Sequence, residues 1–173
     1  MSQFNFRNLD NETRDYMMEE YNFSLNNNSL YRSKSFNNKG IEIYPELLKK
    51  SIKLGDEETL TEDLKGLFND TEYYERDGKR MERKVSADAN TRLARGEFNR
   101  FYIRGLCARA ISEGIGEVEI YRARESSQRR TESDLKIGNK VSAEKLLDDL
   151  RNNIEPKILP EINSGLSIFV DSF

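Results

Sequence analysis

The sequence predicts an α+β fold: a mainly helical single domain with a small antiparallel sheet and an N-terminal arm. Three observations predict it. Residues 86–113 carry apolar side chains at helical spacing, with Ser86 or Asp88 as the cap before them and Gly114 and Gly116 as stops after them. Residues 118–123 alternate apolar and polar, as a half-buried strand does. At 173 residues the chain has the length of one domain with an arm, and 36% hydrophobic against 34% charged residues allow only a modest core.

Residues 1–30 read as the arm. Asp10 or Asn11 caps a turn, and Met17, Met18 and Tyr21 give a sparse apolar face. Asn26 to Ser29 reads as a loop, because Asn bonds its own backbone in competition with helix. Residues 31–69 read as a helix-turn-helix unit. Asn37-Asn38-Lys39-Gly40 is a turn signal, and Pro45 is placed as a first helical residue, where its missing N–H costs nothing. Leu47, Leu48, Ile52 and Leu54 follow, and Gly55 is expected to end that helix in a left-handed conformation. A second helix is expected after Asp56, with Glu57 and Glu58 at its positive end and Leu60, Leu64, Leu67 and Phe68 as its stripe. Residues 70–85 are polar and charged, with Asp77-Gly78 as a turn, and read as a mobile or extended connector.

Residues 86–173 read as a core domain with a long central helix, a small sheet and a C-terminal helix. At 100° steps, Ala94, Phe98, Phe101, Gly105 and Ala108 share one face of the long helix, and Ile103, Leu106, Cys107 and Ala110 lie on the other side. A helix apolar on two sides has neighbours on both flanks. Gly96 and Gly105 each cost about 1 kcal/mol in a helix interior, which points to the close approach of another element. Residues 124–131 form an Arg-rich loop. Ser142 caps the last helix, Val141 and Leu146 occupy its staple positions, and Leu146, Leu147 and Leu150 face the core. Pro156 and Pro160 prevent its continuation, and residues 165–173 alternate weakly, as a terminal strand pairing with 118–123 would.

Composition removes several chemistries. The chain has no His, so serine-type triads and imidazole-ligated zinc or haem are excluded. Its single Cys107 excludes an internal disulfide, a thiolate zinc site and a conventional iron–sulfur cluster, and suits a reducing compartment. Gly114-x-Gly116 lacks the third glycine and following helix of a phosphate-binding loop. The Glu117 and Glu119 pair at a strand start suits Mg²⁺, but Tyr121 stands where a nuclease would carry its lysine. No catalytic, metal-binding or cofactor-binding residue is expected, and an enzyme stays possible only through carboxylate, Tyr or Lys chemistry that the sequence does not advertise. No stretch approaches the roughly 20 apolar residues of a bilayer span, and no secretory signal precedes Asn5, so no membrane partner is expected.

The net charge of −3 hides a division along the chain. Residues 1–75 carry 9 basic and 15 acidic groups, whereas residues 76–135 carry 14 basic and 10 acidic. Arg92, Arg95, Arg100, Arg104, Arg122, Arg124, Arg129 and Arg130 are the candidate partner-binding residues of the basic part. With Phe98, Phe101, Tyr102 and Tyr121 among them, they also suit a nucleic acid, through phosphate contacts and base stacking. The alternative is that they pair with the chain's own carboxylates. The mixed charges of residues 124–134 suit either a solvated loop or an assembly loop that sets register against a neighbour.

The stretch from Asn90 through Ala110, NTRLARGEFNRFYIRGLCARA, resembles a segment of uncharacterised proteins in tailed bacteriophages. So do Val118 to Ala123, Glu132-Ser133-Asp134 and the Tyr31 to Gly55 region. The chain resembles virion proteins of crAss-like and related podoviruses, among them ring and adaptor proteins at the portal and tail. That resemblance implies a structural, oligomeric, non-enzymatic subunit at the head–tail connector. Its implied partners are copies of itself in a ring and the portal or tail proteins of the virion, with DNA close by. Its implied location is the virion, after assembly in the host cytoplasm. Two other roles stay open: a cytoplasmic phage protein that binds nucleic acid through residues 76–135, and a small inhibitor of a host protein.

Overall fold

In the computed structural model, which describes residues 3–173, the first helix, α1 (Asn11–Asn26), begins where Asp10 accepts a hydrogen bond from Thr13 N. It is followed by α2 (Asn38–Leu54), α3 (Glu57–Asp63), β1 (Thr71–Arg76) and β2 (Lys79–Lys84). Then come the central helix α4 (Ala89–Ser112), β3 (Glu117–Arg122), the short α5 (Thr131–Asp134), β4 (Lys140–Ser142), α6 (Ala143–Asn152) and β5 (Leu166–Phe169). The fold is α+β, as the sequence predicts: one domain with six helices and two small antiparallel sheets among the described residues.

Helix α4 is the axis of the core. It packs against α1, α3, α6 and β5, which accounts for its apolar residues on both sides. Phe98, Phe101, Ile103 and Leu106 are at most 1% exposed, and each contributes about 1.5–3 kcal/mol by leaving water. The glycine argument holds at Gly105: a Cβ there would lie 2.6 Å from Met17 Cγ and 2.7 Å from Met17 N, so α1 crosses α4 at this point. Asn99 donates to Leu166 O (2.8 Å) and accepts from Ser167 Oγ (2.7 Å), which ties β5 to the same helix.

The predicted pairing of the terminal strand is present. β5 runs antiparallel to β3 with Ile120 opposite Ile168, and β4 flanks β3 on its other edge with Val118 opposite Val141. Ser142 caps α6 through a bond from Lys145 N, as expected.

Several expectations change. Helix α3 ends at Asp63, so Leu64, Leu67 and Phe68 lie beyond it rather than in its stripe. Of the segment expected as an N-terminal arm, the described residues 3–30 pack against the body. Met17 and Tyr21 are buried against α4, and the Phe6 ring packs at a tilt against Tyr102 and Phe98 at centroid distances of 4.7 and 5.4 Å. Thr13, Glu20 and Ser24 complete the buried face of α1, so its apolar pattern reads as sparse although the face is fully used. Helix α2 starts at Asn38, capped by Asn37, and Pro45 lies inside it. The carbonyl that loses its bond to Pro45 belongs to Ile41, which is 44% exposed and open to water. Gly55 does end α2, but with φ −125° it is extended, and it is small because a Cβ would meet Thr59 at 2.9 Å. Residues 70–85 form a β-hairpin in place of a connector.

Candidate assembly surface

The eight arginines read from the sequence fall into separate groups. Arg100 and Arg104 project from one face of α4 into the body, 5% and 3% exposed. Arg100 Nε faces Glu97 Oε1 at 3.3 Å, and its Nη groups donate to the carbonyls of Leu150, Asn153 and Ile154 at the end of α6. Arg104 Nε donates to Glu20 Oε1 at 3.0 Å and Nη1 to Ser24 Oγ at 2.9 Å. Arg151 of α6 completes the site by donating to the same Glu20 carboxylate at 2.9 Å. These two arginines therefore join α1, α4 and α6 to one another and are not available to a partner.

Arg95, Arg122 and Arg124 gather on another side, near the N-terminal segment. Arg95 donates to Gln3 and lies 3.9 Å from Glu58. Arg122 pairs with Asp134 at 2.7 Å, and Arg124 donates to Asn163 O at 3.1 Å while lying over the Phe4 ring. Arg129 and Arg130 are exposed but pair with Glu125 and Glu161 of the same chain. Arg92 is exposed at the rim of a cleft of about 400 Å³ that Lys34, Arg83, Glu97 and Arg100 also line. Most of the set is thus paired internally, one of the two alternatives that the residues left open.

Sequence reading passed over Arg109 as a partner of importance. Its guanidinium meets Asp10 at 2.9 Å, Glu12 at 3.0 Å and Glu113 at 3.0 Å, and it stacks 3.9 Å from the Phe173 ring centroid. It fastens the start of α1 and the chain's last residue to the end of α4. The signal was its position at the negative end of a helix, where a cation is favoured.

Burial sets the electrostatics of this interior. It pushes the Glu97 carboxyl above its ordinary value, against the pull of Arg100. It lowers the Arg104 guanidinium, with Glu20 opposing. It also raises the Cys107 thiol, so the single cysteine is a small packed hydrophobe rather than a nucleophile. Glu117 and Glu119 lie on β3 opposite Ser142 and Lys140, and among the described residues no three potential metal ligands gather.

The hairpin lies on the outside. β1 and β2 pair antiparallel with Glu72 opposite Arg83, Tyr74 opposite Met81 and Glu75 opposite Arg80. Asp77 and Gly78, at φ 53° and 73°, make the two-residue turn whose twist suits a hairpin. Every residue of both strands is exposed or half-exposed; Tyr73 is 60% and Met81 43% exposed. Arg80 covers the Tyr73 ring at 4.0 Å and Arg83 the Tyr74 ring at 5.0 Å. The base is held by Val85 N to Asp70 O (2.9 Å) and by Ser35 donating to Glu72. The ribbon belongs to a sheet of two strands, so both outer edges present unpaired N–H and C=O groups. The sequence signal was Asp-Gly between two six-residue runs rich in Tyr and charge. Among the described residues no helix is long and apolar enough to cross a membrane.

Comparison with known protein families, curated proteins and solved structures finds no match.

Proposed function

We propose that the chain is a structural subunit of a tailed-phage particle, of the head–tail connector type, and works by oligomeric assembly rather than by catalysis. In this reading it associates with copies of itself in a ring and with portal or tail proteins. The observation that carries the assembly role is the β1–β2 hairpin, a ribbon that contributes no core residue and whose two outer edges carry no strand partner among the described residues. An isolated two-stranded ribbon is marginal in water, and partners that cover it supply what the body does not. The internal pairing of the arginines supports the same reading over nucleic-acid binding, because the phosphate-facing charge that such binding needs is spent within the chain. The phage placement rests on the sequence resemblance.

The test is mass spectrometry of purified particles from a culture that makes the protein. A fixed copy number per particle, close to that of the portal or tail ring, is the expected result. Presence in the infected cytoplasm together with absence from the particles would overturn the reading. Recovery with host nucleic acid, with affinity falling steeply as salt rises, would replace it with the nucleic-acid role.

A further inference from the structure

We infer that the two edges of the hairpin are the two complementary halves of one subunit contact: β2 of one copy pairs with β1 of the next. The inference rests on the assembly role proposed above and names the surface that performs it. In an antiparallel ladder, opposed residues alternate between pairs that exchange backbone hydrogen bonds and pairs that do not. Each strand of the hairpin therefore turns half of its backbone groups toward its partner and half outward. Keep the internal register and place β1 of a second copy on the outer edge of β2. The outward groups then meet, with bonded and non-bonded pairs exchanging roles.

That register is favourable for the side chains. Glu72 again lies opposite Arg83, Glu75 opposite Arg80 and Tyr74 opposite Met81, the opposition already present inside the hairpin. Opposite charges and aromatic–aliphatic pairs across a ladder are the stabilising combinations. The like-charge opposition, Arg76 with Lys79, flanks the turn, where both side chains reach solvent. Like edges can self-pair only about a residue, because the outward backbone groups of one strand belong to every second residue. Two β2 strands paired about Glu82 oppose Arg80 to Lys84, and paired about Met81 they oppose Lys79 to Arg83. Pairing of β1 with β1 leaves both β2 edges bare, so the β1–β2 contact alone covers both edges of every copy. That contact is head-to-tail, and head-to-tail contacts generate rings when the rotation closes.

Cysteine pairing between variants tests the ladder in the full-length protein. Tyr74→Cys and Met81→Cys are purified separately, mixed and oxidised. Neither variant can close the pair within one chain, and the buried Cys107 is out of reach. The expected result is a covalent dimer in the mixture and none in either protein alone. A second experiment uses the double variant Glu75→Arg with Arg80→Glu, which preserves the internal opposition. It is expected to assemble with itself and to be excluded from wild-type oligomers, because Arg would then face Arg across the contact. No covalent dimer in the mixture, or free co-assembly of the double variant with wild type, would overturn the ladder. If either occurs while the protein is still found in particles, the assembly role stands and only this surface fails. Absence from particles removes the role itself.

Discussion

Replacing Glu20 with Gln should cost the protein a large part of its stability. The Glu20 and Arg104 side chains are each 4% exposed and 3.0 Å apart. At that distance two unit charges attract by about 5–6 kcal/mol at an effective dielectric constant near 20. Glu20→Gln keeps the shape and removes one charge, leaving the Arg104 guanidinium buried among neutral acceptors alone: the new amide oxygen, Ser24 Oγ and the backbone carbonyl of residue 20. Breaking a buried pair in this way costs about 3–5 kcal/mol. With a urea slope of about 2 kcal/mol/M, the unfolding midpoint should fall by about 1.5–2.5 M. Arg151 is 31% exposed and can turn to water, so it adds little to the loss. Replacing both partners by apolar residues, Glu20→Leu with Arg104→Met, should recover most of it, since no uncompensated charge is then buried. Urea unfolding followed by circular dichroism reads both variants. A loss below about 0.5 kcal/mol for Glu20→Gln, the size of an ordinary surface substitution, would refute the reasoning.

Three further outcomes are expected. Gly105→Ala gains about 1 kcal/mol of helix propensity but forces α1 away from α4, for a net loss of about 1 kcal/mol or more. Gly116→Ala, which has no atom within 4 Å of its would-be Cβ, should stay within about 0.5 kcal/mol, and equal losses in the two would refute the close-packing argument. Stability should fall on both sides of an acidic optimum. Burial pushes Asp10 up, but the Thr13 N–H and Arg109 outweigh it and hold the carboxyl below its ordinary value. The stability it contributes is present above the ordinary carboxylate range and lost as pH falls through the folded value. Glu97 has the opposite sign: its raised value means stability is lost as pH rises from the ordinary carboxylate range. Chemical unfolding at a series of pH values should show Asp10→Asn flattening the acid arm and Glu97→Gln the upper arm. Finally, replacing residues 71–84 by a short Gly-Ser link should leave the melting temperature within about 3 °C, because the ribbon buries no core residue; calorimetry showing a lost cooperative transition would contradict that.

The elements legible in the sequence are those whose signals are local. Ser142 before Ala143 is a cap followed by an amphipathic stripe, and α6 begins there. Gly105 in a helix interior is unfavourable in isolation, so its presence points outward to a neighbour, which is α1 at Met17. The illegible parts are those in which tertiary contacts overrule local preference. Pro45 is a helix breaker by itself, yet Asn37 caps the turn before it, Tyr21 donates to its carbonyl at 2.7 Å, and α2 runs through. The buried face of α1 contains Thr13, Glu20 and Ser24, whose partners Arg109 and Arg104 lie about 80–100 residues later. No window of sequence spans both halves of such a face, so the segment reads as an arm.

The same long-range pairing changes where an interface should be sought. Arginines on a helix that is apolar on two sides have two destinations. Their heads can reach solvent beyond the packing, or they can cross it to a carboxylate on a neighbouring helix, with their stems covering apolar surface. Which occurs depends on whether that neighbour offers a carboxylate at the right height, and Glu20, Asp10 and Glu12 of the N-terminal segment do so for Arg104 and Arg109. The acidic first third and the basic middle are therefore complementary, but much of that complementarity is used within the chain, between α1 and α4. A chain that has paired its charges inside cannot rely on the same charges to recruit a neighbour. In the proposed assembly role, recognition would then fall to the β1–β2 ribbon, which among the described residues contributes nothing to the core.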